Sequence, residues 1–498
     1  MYIAVQGSKG RPWTGIGRQL ASTLLQARVA LAAVLALAAC AAAGQERPNI
    51  LLIMADDLGW GDVGYNGAEI RTPTIDRLAT EGVRLDRYYT HPSCTPTRTA
   101  FYSGKRAVNL GTIAPIAPWE DFGLPPGERI LPQYLKEAGY TTWLVGKWHL
   151  GHNYHDQHPL NRGYDHFYGT NSGEINYYTH ALNRVPDWER NGTALDEEGY
   201  VTHLLGDEAV ELIEGYDGDA PYFMHLSFTA PHTPLQAPEE SVQAYADIAD
   251  FNRRRLAAMI TEMDTAIGAV LAAVTNRPDS DNTLIVFASD NGGELRAGSV
   301  NEPLRGNKMS LYEGGIRVPA FLNWPTRLEG GRTIGDLVTV YDWLPTLLSL
   351  AGHPGVPDDT LAGIDLWPTF ESSAEQQRDE PVVLTSATPM GPRMAVIEEG
   401  WKLIRSLRPV PNAPGEFSVE LFNVLDDPFE TSDLAASEPA RTARMLAYIE
   451  TIAVAPVLGG TPPPENYDGA SGPEVEPDNR PPIYQPVAEA VTERPPDR

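Results

Sequence analysis

The chain reads as an α/β protein with a large, mostly parallel sheet between helices and a small antiparallel α+β subdomain after it. Three observations predict this. From Pro48 to about Gly352, strand-like and helix-like segments alternate, the pattern of a parallel sheet with crossover helices. The first strand candidate, Asn49-Ile50-Leu51-Leu52-Ile53-Met54, is continuously apolar, as a strand covered on both faces must be. Beyond Pro381 the apolar runs shorten to three or four residues and follow one another without helices between them.

Residues 1–39 are set apart from this fold. Lys9, Arg11, Arg18 and Arg28 precede or open the apolar run RVALAAVLALAA, and no acidic residue comes before it. That is the pattern of an export signal, too short to span a membrane. It ends Leu37-Ala38-Ala39-Cys40, which resembles a bacterial lipoprotein signal with Cys40 as the lipidated residue. The alternative is a plain secretory signal cleaved near Ala43. Either reading predicts an exported protein, at the cell surface or in a periplasm, touching membrane only through a lipid anchor.

The elements then follow in order. Thr72-Pro73 opens a helix, with threonine as N-cap and proline at the first helical position, and Gly82 closes it. Ile130 to Ala138 is a second helix, ended by Gly139. Thr141–Val145, Tyr222–Phe228 and Thr283–Ala288 are buried-strand candidates, and Phe251–Val274 is a long helix with apolar residues three and four apart. No other stretch reads as a transmembrane helix. Val382–Leu384, Met394–Ile397, Lys402–Ile404 and Leu421–Asn423 are the short strands of the second unit, followed by a helix from Pro439 to Ile452. The expected organisation is a large domain over 47–380, the subdomain over 381–455, and a proline-rich acidic tail over 456–498 that lacks core-building residues.

Composition narrows the function. Of 498 residues, 42% are hydrophobic and 21% charged, the balance of a folded globular enzyme. Net charge is −28, near −32 without the signal. Nucleic acid is therefore not an expected partner. A polyanion is repelled in bulk, so any anion handled here needs a local cationic pocket. The two cysteines, Cys40 and Cys94, leave no pair for a disulfide once Cys40 is lipidated or removed.

The four buried strands each run into polar residues of a catalytic type. The first ends at Asp56-Asp57 and the second leads into Lys147 and His149. The third leads into His232 and the fourth into Asp290-Asn291. Ligand sites of open parallel sheets lie beyond the carboxyl ends of the strands. Asp56, Asp57, Asp290 and Asn291 are hard oxygen donors, suited to Ca²⁺ or Mg²⁺ rather than zinc. Arg98 lies four residues after Cys94, on the same face of a helix expected to begin around Thr95-Pro96. Lys308, among polar neighbours, reads by itself as a surface residue. His152, His155, His158, His166 and His180 show no regular ligand spacing and suggest a substrate-lining insertion.

Cys94-Thr95-Pro96-Thr97-Arg98 resembles the C-x-P-x-R signature of type I sulfatases. RPNILLIMADDLGWGDVG, GKWHLG, APHTP, SDNGG, LRGNK and EGGIRVP stand in the order and spacing expected of that family, within the alkaline phosphatase superfamily. YDWLPTLLSLAG and LFNVLDDPFE resemble its later segments, so the likeness runs from about Arg47 to Ile452. Asp-Leu-Gly-Trp-Gly, GKWHLG, LRGNK and DWLPT resemble the arylsulfatase B branch, N-acetylgalactosamine-4-sulfatases.

The resemblance implies an alkaline-phosphatase-like sulfatase fold and hydrolysis of sulfate esters of carbohydrates and aryl alcohols. Cys94 would be oxidised to formylglycine by a maturation enzyme. The aldehyde hydrate would act as nucleophile through a covalent sulfo-enzyme intermediate. One Ca²⁺ would sit on Asp56, Asp57, Asp290, Asn291 and the modified Cys94. Arg98, Lys147 and Lys308 would bind the sulfate, His232 would act as general acid, and His149 would assist the second hydroxyl. The alternatives are a phosphonate monoester or phosphodiester hydrolase of the same superfamily, and an inactive glycan-binding lipoprotein.

Overall fold

The structure, a computed structural model, describes residues 47–356, 361–372, 374–376, 378–388, 391–407, 417–456 and 458. All but Arg47 belong to one body beginning at Pro48. The segment read as an export signal, with Cys40, and the tail beyond residue 458 lie outside the described residues.

Ten strands form the main sheet: β1 (Asn49–Ala55), β2 (Val83–Leu85), β3 (Thr141–Lys147), β4 (His166–Thr170), β5 (Glu189–Arg190), β6 (Thr193–Ala194), β7 (Tyr222–Ser227), β8 (Thr283–Ser289), β9 (Ala320–Asn323) and β10 (Arg332–Ile334). Their order is β10-β2-β9-β8-β1-β7-β3-β4-β5-β6. The centre, β8 through β4, is parallel throughout. Antiparallel pairs flank this centre on both sides, and β10 pairs parallel with β2 at one end, so the sheet is mixed at its edges.

β1 shows why the apolar runs become central strands. Ile50, Leu52 and Met54 enter the core on one face of the sheet, and Leu51, Ile53 and Ala55 the core on the other. Side chains alternate across a strand, so only a strand covered twice needs apolar residues at every position. Burying each of the larger ones contributes roughly 1.5–3 kcal/mol. Helices α1 (Pro73–Glu81), α4 (Val201–Gly215) and α5 (Phe251–Thr275) cover one face. Helices α2 (Cys94–Ser103), α3 (Leu131–Glu137) and α6 (Trp343–Leu350) cover the other.

Three sequence readings need adjustment. Thr72 stands at the N-cap of α1, but its hydroxyl bonds the Asp76 carboxylate at 2.9 Å instead of a helix amide. α2 begins at Cys94 itself, one residue earlier than expected, with Ser93 as N-cap. α5 is long and apolar enough to cross a membrane by length and composition, which the sequence reading did not allow for, but it is mostly buried as a core helix.

β11 (Val382–Thr388), β12 (Gly391–Glu398), β13 (Trp401–Leu407) and β14 (Phe417–Asn423) form an antiparallel sheet in chain order. One face, with Val382, Leu384, Ala395, Ile397, Ile404 and Phe422, merges with the main core. The other packs under Met445 and Ile449 of α7 (Pro439–Ile449). A buried ion cluster ties this sheet to the main body. Lys402 of β13 lies 2.7 Å from both Glu313 and Glu430, all without solvent contact at the side chains of Lys402 and Glu313. Removing one member would leave an uncompensated buried charge, which is why such clusters hold their elements in one arrangement.

β11 also meets the loop before α2. The Thr385 amide donates to Nδ1 of the fully buried His91 at 3.1 Å. Burial pushes the His91 imidazole down to about 4 from 6.5. Protonation then favours the unfolded chain. The His91 contribution is full above pH 6.5, falls as pH drops below it, and is gone once pH passes about 4. By pH 5 the loss is about 2 kcal/mol. Urea unfolding at pH 7.5 and pH 5 is expected to show a smaller pH dependence in His91→Asn than in the wild type.

Candidate active site

The register places the carboxyl ends of the central strands side by side. Ala55 pairs with Ser289, Met54 with Ser227, and Ser227 with Gly146. Close approach at this edge depends on glycine. A Cβ at Gly146, which has φ +117°, would stand 1.8 Å from the Ser227 carbonyl oxygen. A Cβ at Gly292 would stand 2.0 Å from the Gly314 oxygen, so the SDNGG and EGG loops can touch only without side chains.

Onto this edge the chain delivers all ten residues singled out from sequence. Cys94 is buried at the first position of α2, its Sγ 3.5 Å from Asp56 Oδ1. Lys147 Nζ donates to Asp56 Oδ2 at 2.5 Å. Arg98, wholly buried, donates to Asp290 Oδ2 at 3.1 Å, to the Ser227 hydroxyl at 2.7 Å and to the Lys147 carbonyl at 2.9 Å. Asp57 has φ +67°, a conformation non-glycine residues rarely adopt. Its amide donates to Asp290 Oδ1 at 3.2 Å, and its carboxylate accepts from Asn291 Nδ2 and Lys308 Nζ, each at 2.7 Å.

Lys308 is thus no surface residue. Its ammonium is largely buried and also lies 3.0 Å from His232 Nε2. At that distance the two nitrogens can exchange a proton whenever one of the groups is neutral, the neutral one accepting from the other. His232 Nδ1 donates to the Thr233 carbonyl at 2.7 Å. His149, at φ +58°, donates from Nε2 to the Ile116 carbonyl at 3.0 Å. That bond places the proton on Nε2 and leaves the buried Nδ1 without a partner.

The charges are strongly coupled to burial. Burial raises the Asp290 carboxyl to about 6, aided by Asp56 and opposed by Arg98. For Asp57 burial acts upward, but Lys308 and His232 outweigh it and hold the group below the ordinary carboxylate range. Burial would raise the Cys94 thiol; Lys147 and Lys308 bring it down to about 7. Burial and Lys308 oppose charge on His232, yet Asp57 and Asp56 lift it to about 9. Burial and Lys147 keep His149 neutral, well below its usual value.

Three buried carboxylates and a buried amide converging suit a hard divalent cation. The Asn291 Oδ1 is buried with no hydrogen-bond partner, an acceptor left for such an ion. One ligand atom each from Asp56, Asp57, Cys94 and His232 lies within 4.8 Å of the others. The site therefore has a candidate metal centre.

Beside it opens a cavity of about 350 Å³ reached by Cys94, His149, His232 and Lys308. Its further wall, Ala114 to Pro118, was not singled out from sequence, although the repeated Ile-Ala-Pro of residues 113–118 was visible. Of the five histidines grouped from sequence, His152 lines the cavity. The others do structural work: His158 pairs with Glu189, His166 with Glu208, His155 bonds Asn161, and His180 bonds the Gly199 carbonyl. Their segment still contributes Ser172, Gly173, Glu174 and Leu182 to the lining.

A buried thiol at a helix N-terminus, beside a metal-suited carboxylate set and buried cations, suits a hydrolase of anionic esters. The model of the Sulfatase family matches residues 48–353. Arylsulfatase J of Mus musculus is 35% identical over 453 residues, 81% of this chain and 75% of its own. N-acetylgalactosamine-6-sulfatase of Mus musculus is 34% identical over 374 residues, 70% of each chain. Among solved structures, Ps i-CgsB in complex with k-i-k-neocarrahexaose aligns with a TM-score of 0.75 at 32% identity, covering 81% of this chain and 92% of that one. The chain belongs to the sulfatase family. It is an enzyme that hydrolyses sulfuric esters.

Proposed function

We propose that this sulfatase removes sulfate from a sulfated carbohydrate, with position 94 as the reacting centre after a maturation enzyme has converted Cys94 to formylglycine. The observation that carries this reading is the placement of Cys94 at the start of α2, 3.5 Å from Asp56, at the wall of a cavity that His149, His232 and Lys308 also reach. A formylglycine hydrate supplies two hydroxyls on one carbon, where a thiol offers a single nucleophile. Asp56, Asp57, Asp290 and Asn291, with position 94, would hold one Ca²⁺, which supplies Lewis acidity to a sulfuryl oxygen.

The chain's own residues account for the remaining work. Arg98 and Lys147 stand behind position 94 and offset negative charge on the bound sulfuryl group. Lys308 and His232, whose protonated forms Asp57 favours, are the groups that would give a proton to the departing alcohol oxygen. His149, neutral with a bare Nδ1, is placed to take a proton from a hydroxyl at position 94. The basic n-region and the Leu-Ala-Ala-Cys40 sequence support export with lipidation at Cys40.

The cavity also narrows the sugar. Ala114 to Pro118 and Leu182 offer an apolar surface to a ring, and Ser172 and Glu174 add hydrogen-bonding groups. Among the described residues that line it, Lys308 is the one permanent cation, and Asp57 claims it. Glu174 is the acidic side chain in that lining. This chemistry favours a neutral sugar bearing one sulfate, such as a hexosamine or galactose unit, over one with a second anionic group. The matched N-acetylgalactosamine-6-sulfatase and the arylsulfatase B likeness support such a unit.

The experiment is mass spectrometry of the Cys94 peptide for thiol-to-aldehyde conversion, followed by a screen of sulfated mono- and oligosaccharides for sulfate release. An unconverted thiol in fully active enzyme would overturn the reading. In the same screen, N-acetylgalactosamine 6-sulfate is expected to outperform the 4,6-disulfate. Glu174→Gln is expected to narrow that gap by roughly three- to tenfold, as removal of one nearby like charge allows.

A further inference from the structure

We propose that Arg393, a residue of the C-terminal sheet, is a positioning residue for Lys308. This rests on the reading of Lys308 as part of the proton-donating pair.

Lys308 reaches Asp57 and His232 from a loop, and the next residue, Met309, has φ +69°. An unbranched non-glycine residue holds that conformation at a cost of roughly 1–2 kcal/mol, so its surroundings must impose it. Here both sides of Met309 are gripped. Its amide donates to the Pro92 carbonyl at 2.7 Å, two residues before Cys94. Its carbonyl accepts from Arg393 Nη2 at 2.7 Å and from the Ser386 hydroxyl at 3.3 Å. The Lys308 amide is held in turn by the Gly293 carbonyl at 3.1 Å.

Ser386 and Arg393 are direct cross-strand partners on β11 and β12, and Arg393 also donates to the Ser386 hydroxyl at 3.2 Å. The neighbouring Thr385 bonds His91 on the loop that leads to Cys94. The small sheet therefore touches both loops: the one that starts at His91 and carries Cys94, and the one that carries Lys308. A charge-assisted bond from a guanidinium anchored on a sheet is the strongest of these contacts and the stiffest support. Without it the Met309 peptide is free to leave the left-handed region, and the lysine ammonium moves with it. The hydrogen bonds of Arg393 go to Met309 and Ser386 and not to Asp56, Asp57, Asp290 or Asn291, so its effect is expected to run through the Lys308 loop.

The test uses two aryl sulfates. Phenyl sulfate has a leaving group that needs protonation far more than 4-nitrophenyl sulfate does. Arg393→Gln is expected to lower kcat for phenyl sulfate about tenfold more than for 4-nitrophenyl sulfate, the factor that one charge-assisted hydrogen bond carries. Arg393→Lys is expected to restore part of that ratio. Should Arg393→Gln fail to accumulate as folded protein, Ser386→Ala reads the same ratio at about two- to threefold. An equal loss on both substrates, or no loss, overturns the proposal and makes Arg393 a purely structural contact. Lys308→Ala, run alongside, separates the two readings. Equal losses on both substrates in that variant would remove Lys308 from proton donation, and the positioning role with it. A selective loss in Lys308→Ala without one in Arg393→Gln overturns the positioning role alone.

Discussion

Cys94→Ala is expected to abolish release of 4-nitrocatechol from its sulfate, by on the order of 10⁴-fold or more, as loss of a covalent nucleophile does. The fold should survive, because the substitution removes one sulfur at the start of α2 and leaves the Arg98, Lys147 and Asp290 contacts in place. Cys94→Ser separates attack from release. A serine hydroxyl can take the sulfuryl group from substrate, with the alcohol leaving as its oxygen gains a proton. It has no second hydroxyl on the same carbon to expel sulfate afterwards. One equivalent of product and a chain heavier by one sulfuryl group are therefore expected, read by burst kinetics and intact mass. Wild-type turnover in either variant would place the nucleophile elsewhere.

The second large effect is expected from the metal site. Exhaustive chelation should reduce activity by several orders of magnitude, and Ca²⁺ added back should restore it. Binding should also stabilise the fold by about 2.7 kcal/mol at a hundredfold excess over Kd, visible as a rise in Tm. The physical reason is the charge set itself. Asp290 is raised to about 6 by burial and by the neighbouring Asp56, even with Arg98 opposing, and a divalent cation relieves that repulsion. Asp290→Asn is expected to lose both the Ca²⁺-dependent rise in Tm and the activity. A variant that keeps the rise but loses activity would remove Asp290 from the ligands. Mg²⁺ in place of Ca²⁺ should serve less well, since the donors come from separate loops and the smaller ion demands stricter octahedral geometry.

Much of the fold was legible because burial on both faces writes itself into composition. β1 is apolar from Ile50 to Ala55 since its alternate residues enter two different cores. β8 is likewise apolar from Leu284 to Ala288, and β7 from Tyr222 to Leu226 but for His225, and the polar residues that follow mark the edge where apolar burial stops. The short edge strands Glu189–Arg190 and Thr193–Ala194 carried no such signal. Two-residue strands have no periodicity to read, and their pairing is decided by what lies beside them. Lys308 failed for a different reason. Its burial is produced by Asp57 and His232, which lie 251 and 76 residues away in the chain. A window of neighbours sees only glycine, asparagine and a polar loop. The Ala114–Pro118 wall and the structural histidines were misweighted for the same reason, because lining a cavity is a property of what is opposite.

By itself the sequence determined the strand ends, the residue types placed on them and the lone thiol in its five-residue pattern. Those features rest on local chemistry: apolar runs, helix starts, and the acids and cations that interrupt them. Only the tertiary structure decided which groups share one dry space. It set Lys147 on Asp56, Arg98 on Asp290 and Lys308 on both Asp57 and His232. It also brought the C-terminal sheet onto the loops that carry Cys94 and Lys308. Charge, proton position and metal affinity follow from distances of about 3 Å between residues far apart in the chain, and only the packing of the sheet and its helices creates those distances.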